Sequence, residues 1–281
     1  MRLSSVVKQS FERTGLVFAL VPLVNHLARR RQKGVLRIFR NGDLWIHQTT
    51  FGYFAYHEPY IRLDMQRFDE LARANFFWGC ELRAGDVVID VGAGAGEETL
   101  TFSRAVASSG KVVCIEAHPR TYRCLKAMVD HNRLENVLLV HRAIVEPGRS
   151  TATIENSSNY LANRLRDSNG TAVPATTMDE LVRELGLGRI RFLKMNIEGA
   201  ERLAIQGMSQ TLKQTEVVCI ACHDFLADKT GDESYRTREI VRQYLKERRL
   251  RMVERHQSDL PAYVRHQIWA YSDTVIAKVA S

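Results

Sequence analysis

From about residue 85 the chain alternates short apolar runs with amphipathic segments, and this alternation sets the expected architecture. Five runs read as strands: VVIDV (87–91), KVVCIEA (111–117), NVLLVHRA (136–143), IRFLKMNI (190–197) and EVVCIACH (216–223). They are apolar almost throughout, the pattern of strands covered on both faces of a parallel sheet. Between them, EETLTFSRAVAS, RTYRCLKAMVDHN, MDELVRELG and GAERLAIQGMSQTLK read as helices. The end of the chain adds a helix (234–249), a strand (250–254) and a final strand, TVIAKV (274–279), and the last two strands are expected to form an antiparallel edge. The predicted class is α/β, a mostly parallel seven-stranded sheet with helices on both faces.

Residues 1–80 follow another pattern and read as an N-terminal extension to a domain over 81–281. A helical region (4–31), kinked at Pro22, precedes a hairpin, VLRIFRNGDLWIHQ, with its turn signal at Asn41-Gly42. An aromatic-rich stretch, FGYFAYHEPY, and a helix, MQRFDELARANFFWG, follow. The longest apolar run, GLVFALVPLV (15–24), is half the ~20 residues of a spanning helix and lacks the cleavage site of a signal peptide. With ARRRQK behind it, the 15–33 segment suits packing on the domain, on a second copy in a homodimer, or peripherally on a membrane surface. The polar stretch ENSSNYLANRLRDSN (155–169) is the least regular part and reads as a substrate loop.

Composition narrows the class only a little. An apolar fraction of 45% and a charged fraction of 26% over 281 residues are those of a soluble globular protein, and a cytoplasmic location is expected. Five scattered cysteines suit a reducing compartment and form no disulfide framework. The net charge of +8 is compatible with nucleic acid, an anionic membrane or an anionic substrate, and selects none of them.

The chemistry concentrates where VVIDV becomes GAGAGEETL. Gly92, Gly94 and Gly96 end the first strand of the α/β unit, where bare backbone lets a ligand approach, with Asp90 just before them. The second strand ends in Glu116, the acidic position that takes ribose hydroxyls in dinucleotide-binding folds. The third glycine of G-x-G-x-x-G would fall at Glu97, and a carboxylate there, followed by Glu98, repels a pyrophosphate. Both glutamates read as complements to the dipole of the helix they open. The pattern favours S-adenosylmethionine, a sulfonium cation without phosphate, over NAD.

Taken together, GDVVIDVGAGAGEETL, KVVCIEAHPRTYRCLKAMVDHNRLENV, TTMDEL, FLKMNIEGAERLAIQGM and CIACHDF resemble the FkbM family of S-adenosylmethionine-dependent methyltransferases over about residues 85–224. The resemblance implies a Rossmann-like class I methyltransferase fold and methylation of hydroxyls on sugars, glycolipids or secondary metabolites. By position it implies that Asp90, Gly92, Ala93, Gly94 and Gly96 cradle the methionine part of the cofactor. It places Glu116 and Ala117 at the ribose and His141, Arg142 and Ala143 beside the adenine. Asn196 stands where the family usually has Asp, and Ala221 where it often has Glu, so an acid is missing at each place.

For catalysis the candidates are His223, Glu198 and Asn196, at the ends of neighbouring strands. His223 reads either as a general base, from its ordinary pKa near 6.5, or as a hydrogen-bonded structural residue. Glu198 reads as catalytic or as a cap for the following helix. His57, Glu58, Tyr53 and Tyr56 are expected to wall the acceptor pocket. Cys219 and Cys222 suggest zinc, but no second pair accompanies them, and a divalent ion at Glu198 and Asp224 would find few oxygen ligands. No metal is expected. Three rivals remain: an RNA ribose methyltransferase, a cofactor-binding protein without catalysis, and an NAD-dependent oxidoreductase. NIEG, with neither proline nor aromatic residue, speaks against methylation of a flipped base.

Overall fold

The computed structural model describes residues 20–23, 25–26, 34–61, 65–156, 165–166, 170–255, 260 and 262–272. Most of the expected 4–31 helix and of the 15–33 segment, most of the 155–169 loop and the whole TVIAKV strand lie outside the described residues. Among the described residues, no helix is long and apolar enough to cross a membrane.

Residues 20–23 and 25–26 are helical. Asn25 ties this helix to the first strand: its Nδ2 donates to Ile38 O at 2.8 Å, and Ile38 N donates to its Oδ1 at 2.7 Å. An antiparallel meander follows, made of β1 (Val35–Asn41), β2 (Leu44–Thr49) and β3 (Tyr53–Tyr56). Asn41 pairs with Leu44, so the tight turn is Gly42-Asp43, one residue later than the sequence signal, with Gly42 at φ 63°. The third strand, inside the aromatic-rich stretch, was not expected. Next, α1 (Met65–Ala72) continues into a π-helical turn over Arg73–Phe77.

The alternating unit then runs β4 (Val87–Val91), α2 (Thr99–Val106), β5 (Lys111–Ile115), α3 (Pro119–Asn132) and β6 (Val137–Val140). An excursion follows: β7 (Ala143–Ile144), β8 (Thr151–Glu155), β9 (Leu165–Arg166) and β10 (Gly170–Thr176) form a separate sheet in the order β7-β10-β8-β9. The unit resumes with α4 (Met178–Glu184), β11 (Ile190–Met195), α5 (Glu201–Ala204), α6 (Ser209–Lys213) and β12 (Thr215–Ala221). It closes with α7 (Asp224–Thr230), α8 (Arg238–Glu247), β13 (Arg251–Glu254), α9 (Ala262–Arg265) and β14 (Gln267–Tyr271).

Seven strands form the central sheet in the order β13-β14-β12-β11-β4-β5-β6. All are parallel except β14, which runs antiparallel to both β12 and β13 and so lies one place in from the edge. The sequence reading missed this QIWAY strand. Both faces of the sheet are covered, as continuous apolar runs require. Val88, Val112, Cys114, Phe192, Val217 and Cys219 face one core, which also holds Ile46, Phe54 and Tyr56 of the meander. Ile89, Val113, Leu193 and Val218 face the other, with Leu181, Ile205 and Val241 from the helices. Residues on either side of Cys80 therefore share one core. Cys219 and Cys222 fall in opposite cores.

The order of strands locates the site. The chain leaves β4 for β5 and β6 on one side and returns to β11 and β12 on the other. The crevice between β4 and β11, at their carboxyl ends, is the switch point where open α/β sheets bind ligands.

Candidate active site and family membership

Central strands of a buried sheet rarely carry charges, and the pair that interrupts these two organises the site. Lys194 of β11 lies directly opposite Asp90 of β4. Both side chains are buried, with Lys194 Nζ 2.8 Å from Asp90 Oδ1 and donating to Gly92 O at 3.0 Å. Burial opposes the ammonium charge, yet Asp90 and Glu98 outweigh it and hold the pKa of Lys194 above its ordinary value. The ammonium thus ties the strand pair to the first residue of the glycine turn.

That turn needs glycine for two different reasons. At Gly92, φ 77°, a Cβ would lie 2.0 Å from Asn196 O, because the backbone after β11 packs against it. At Gly96, φ 94°, a Cβ would meet Met128 and Leu125, so this glycine admits α3. Gly94 N donates to Glu116 Oε2 at 3.0 Å, and His118 N donates to Oε1 at 2.8 Å. Glu116 thereby joins the turn after β4 to the end of β5. Burial is the main influence on its carboxyl, and the pKa rises to about 7.

The turn opens on a cavity of about 210 Å³. Of the expected cofactor residues, Gly92, Ala93, Gly94, Glu116, Ala117, Arg142 and Ala143 line it. Asp90, Gly96 and His141 stand behind the lining: Asp90 in the ion pair, Gly96 against α3, and His141 stacked on Tyr122 at 4.4 Å. The sequence reading missed Lys194, His118, Thr121 and the apolar wall of Ile115, Ile144, Ile154 and Leu165. Ile154 and Leu165 come from β8 and β9, so described parts of the region around the expected irregular loop are strands beside the cavity.

Glu97 and Glu98 stand just before the helix, Glu98 at its N-cap, and face the cavity as well. The helix begins at Thr99, and Glu98 makes no side-chain cap bond. Tyr56 OH donates to Glu97 Oε1 at 3.1 Å. Burial, then the neighbouring Glu98, push the pKa of Glu97 up to about 7, and burial also raises that of Glu98. Tyr56 does not line the cavity and meets the site at Glu97. Tyr53 stacks on His131, and His57 meets the Arg120 carbonyl at 3.1 Å. Neither these two nor Glu58 lines the cofactor cavity.

On the β11 side, Asn196 and Glu198 line the cavity and His223 lies beneath them, buried. Asn196 Oδ1 is buried without a hydrogen-bond partner. Glu198 adopts φ 53°, a left-handed conformation that costs a non-glycine residue roughly 1–2 kcal/mol. Glu201 holds this turn: its carboxylate accepts from Ile197 N at 3.1 Å and Gly199 N at 2.9 Å. The bond-making side chain at this helix start is therefore Glu201, since Glu198 caps nothing.

His223 sits between the two acids, with Nδ1 3.1 Å from Glu201 Oε1 and Nε2 3.5 Å from Glu198 Oε1. Burial opposes its charge, but Glu201 and Glu198 overcome it and raise the pKa to about 10. An imidazole facing carboxylate oxygen at both nitrogens carries both protons, so His223 is a cation at neutral pH and not the expected general base. The sign of the linkage follows. The stability from this pairing is complete below the ordinary 6.5 and is lost as pH rises through about 10. We expect the ring signals of His223 in an NMR titration to hold imidazolium positions from pH 6 to pH 8; a midpoint inside that range would refute the assignment.

Among the described residues, no group of three His, Cys, Asp or Glu side chains is arranged to hold a metal ion. The lining suits S-adenosylmethionine. Glycine admits close backbone at Gly92, a fixed carboxylate stands at the end of β5, an apolar wall faces it, and acids occupy the place where a phosphate would lie.

One comparison with known proteins identifies the family. The Methyltransferase FkbM domain matches residues 90–252, more than half of the chain. A stretch of 75 residues is 32% identical to the tRNA (adenine(58)-N(1))-methyltransferase catalytic subunit of Yarrowia lipolytica, covering 27% of this chain and 19% of that one. The same subunit from Candida albicans is 34% identical over 77 residues, 27% of this chain and 22% of that one. The chain thus spans about a fifth of these curated relatives. Among solved structures, Aeropyrum pernix fibrillarin with natively bound S-adenosyl-L-methionine has a TM-score of 0.45 at 13% identity, over 85% of this chain and 99% of that one. A Bacillus cereus O-methyltransferase in complex with SAH has a TM-score of 0.44 at 11% identity, over 76% and 84%. On the match over 90–252, and with a glycine turn, a strand-end acid and a switch-point cavity that fit the cofactor, this chain belongs to the FkbM family of S-adenosylmethionine-dependent methyltransferases.

Proposed function

We propose that the chain methylates a hydroxyl group, on a sugar, a glycolipid or a related metabolite, and that Glu198 receives the acceptor's proton. The observation that carries this reading is Glu198 itself. Its carboxylate lines the cavity on a left-handed turn, clasped by Glu201 and backed by the His223 cation. Strain of this kind persists where surrounding contacts hold it, and it aims a group that ordinary backbone would point elsewhere. When bound, the cofactor supplies an electrophilic methyl group. The protein's share is then to align the acceptor and take its proton. Asn196, with its buried Oδ1 unpartnered, accepts a hydrogen bond from the acceptor and helps orient it. His223 and Glu201 hold Glu198 in place.

The test is transfer of labelled methyl from S-adenosylmethionine to separated glycan, lipid, metabolite and RNA fractions of the host. Alkali-stable label in a glycan, lipid or metabolite fraction supports a methyl ether. Alkali-labile label, as in an ester, or label on a nucleobase overturns the reading. Label on RNA ribose would favour the second reading, RNA ribose methylation, with which the net charge of +8 is compatible. On the responsive fraction, Glu198→Gln is expected to lower kcat by roughly 10²–10⁴-fold with cofactor affinity retained.

A further inference from the structure

The charges around the cofactor cavity do not balance. Glu97, Glu98, Glu116 and Glu198 all line it, and so do the cations Lys194 and Arg142. Both cations are already engaged: Lys194 chiefly by Asp90 at 2.8 Å, with Glu98 also favouring its charge, and Arg142 by two oxygens of Glu184 at 2.5 and 2.9 Å. Glu198 has the His223 cation behind it. His118, also in the lining, has its pKa lowered, chiefly by burial, which disfavours a positive charge there. Glu97, Glu98 and Glu116 therefore form an acidic wall whose nearest ammonium is committed to a buried partner. The wall is built to stay. Tyr56 fixes Glu97, and the amides of Gly94 and His118 fix Glu116. Burial raises the pKa of each of the three acids.

We propose that this wall makes the cavity selective for ligand charge, so that it holds S-adenosylmethionine and releases S-adenosylhomocysteine. The first is a net cation, because its sulfonium adds to a balanced amino acid. Methyl transfer joins the methyl carbon to the acceptor, breaks the sulfur–carbon bond with its electron pair left on sulfur, and sends the acceptor's proton to a base. The product is a thioether with no net charge. Three carboxylates in a low-dielectric cavity attract the first more strongly than the second, and the difference appears only after the reaction. The proposal rests on the cofactor assignment and not on the nature of the acceptor.

Calorimetry on the full chain at pH 8 tests it with three probes: S-adenosylmethionine, S-adenosylhomocysteine and sinefungin, which keeps the positive charge on an amine in place of the sulfonium. Both cations are expected to bind at least about tenfold more tightly than the thioether. Glu97→Gln, which retains an oxygen for Tyr56, and Glu98→Gln should each narrow that ratio, with thermal unfolding showing that the variants fold. Parity between the thioether and the cations on the wild-type chain would overturn the proposal, as would an unchanged ratio in both variants. Failure of all three probes to bind would overturn the cofactor reading and this proposal with it.

Discussion

Replacing Lys194 with methionine is expected to remove about 3–5 kcal/mol of folding stability, the cost of leaving one member of a buried ion pair without its partner. The Asp90 carboxylate is fully buried between β5 and β11, and Lys194 is its cation at 2.8 Å. The same ammonium holds Gly92 O, so the turn loosens as well. A second substitution separates charge from shape. Asp90→Asn added to Lys194→Met removes the stranded charge, and the double variant should recover a large part of the loss, because desolvation offsets much of what a buried pair contributes. Urea unfolding of the wild type, both single variants and the double variant measures this. Single variants within about 1 kcal/mol of wild type would show that the pair is not the strut described here.

The second large effect concerns Glu116. Glu116→Ala should weaken S-adenosylmethionine binding by at least about 100-fold, since it removes an acceptor from two backbone amides, each such charged bond contributing about 1.5–3 kcal/mol. The loss is structural as well as direct, because Gly94 and His118 belong to different strand ends and this carboxylate accepts from both. The pH dependence has a definite sign. The carboxyl has its pKa raised from the ordinary 4.5 to about 7, so folding takes up a proton between those values and the ligand-free protein loses stability as pH rises across them. A hydroxyl-bearing cation is bound by the ionised form, so affinity should climb from pH 6 to pH 8 and then level off. Glu97, with a pKa also raised to about 7, acts in the same direction. Calorimetry across that range checks both points; equal affinity at pH 6 and pH 8 would refute the charge argument.

Much of the fold was legible because it rests on short-range pattern. The strand at Val87–Val91 falls where its apolar run does, since a run buried on both faces has no polar residue to blur its ends. Strand β10 was missed because GTAVPAT breaks its run with Gly and Pro, and Pro174 is tolerated there because it lies in a small, partly exposed sheet. QIWAY was missed because five residues carry little periodicity, and its place between β12 and β13 comes only from pairing. In the site, the glycines and Glu116 could be picked out because turn geometry and strand-end position are local properties. Glu97 was noticed for the right reason, its conflict with phosphate, but its partner Tyr56 lies 41 residues away in the meander.

The sequence alone determined the alternation of five parallel strands with helices, the glycine turn that brings a ligand against backbone, the acid at the end of the second strand, and the family. These depend on backbone conformations and burial periods that neighbouring residues impose. Only the tertiary structure decided which carboxylates have partners, and with them the roles. His223 changed from candidate base to cation because Glu201, 22 residues away, and Glu198 face its two nitrogens. Lys194, read as one letter of a motif, became the strut under the turn because β11 pairs with β4. Charge state follows desolvation and the nearest charges in space, and neither quantity exists until the chain has folded.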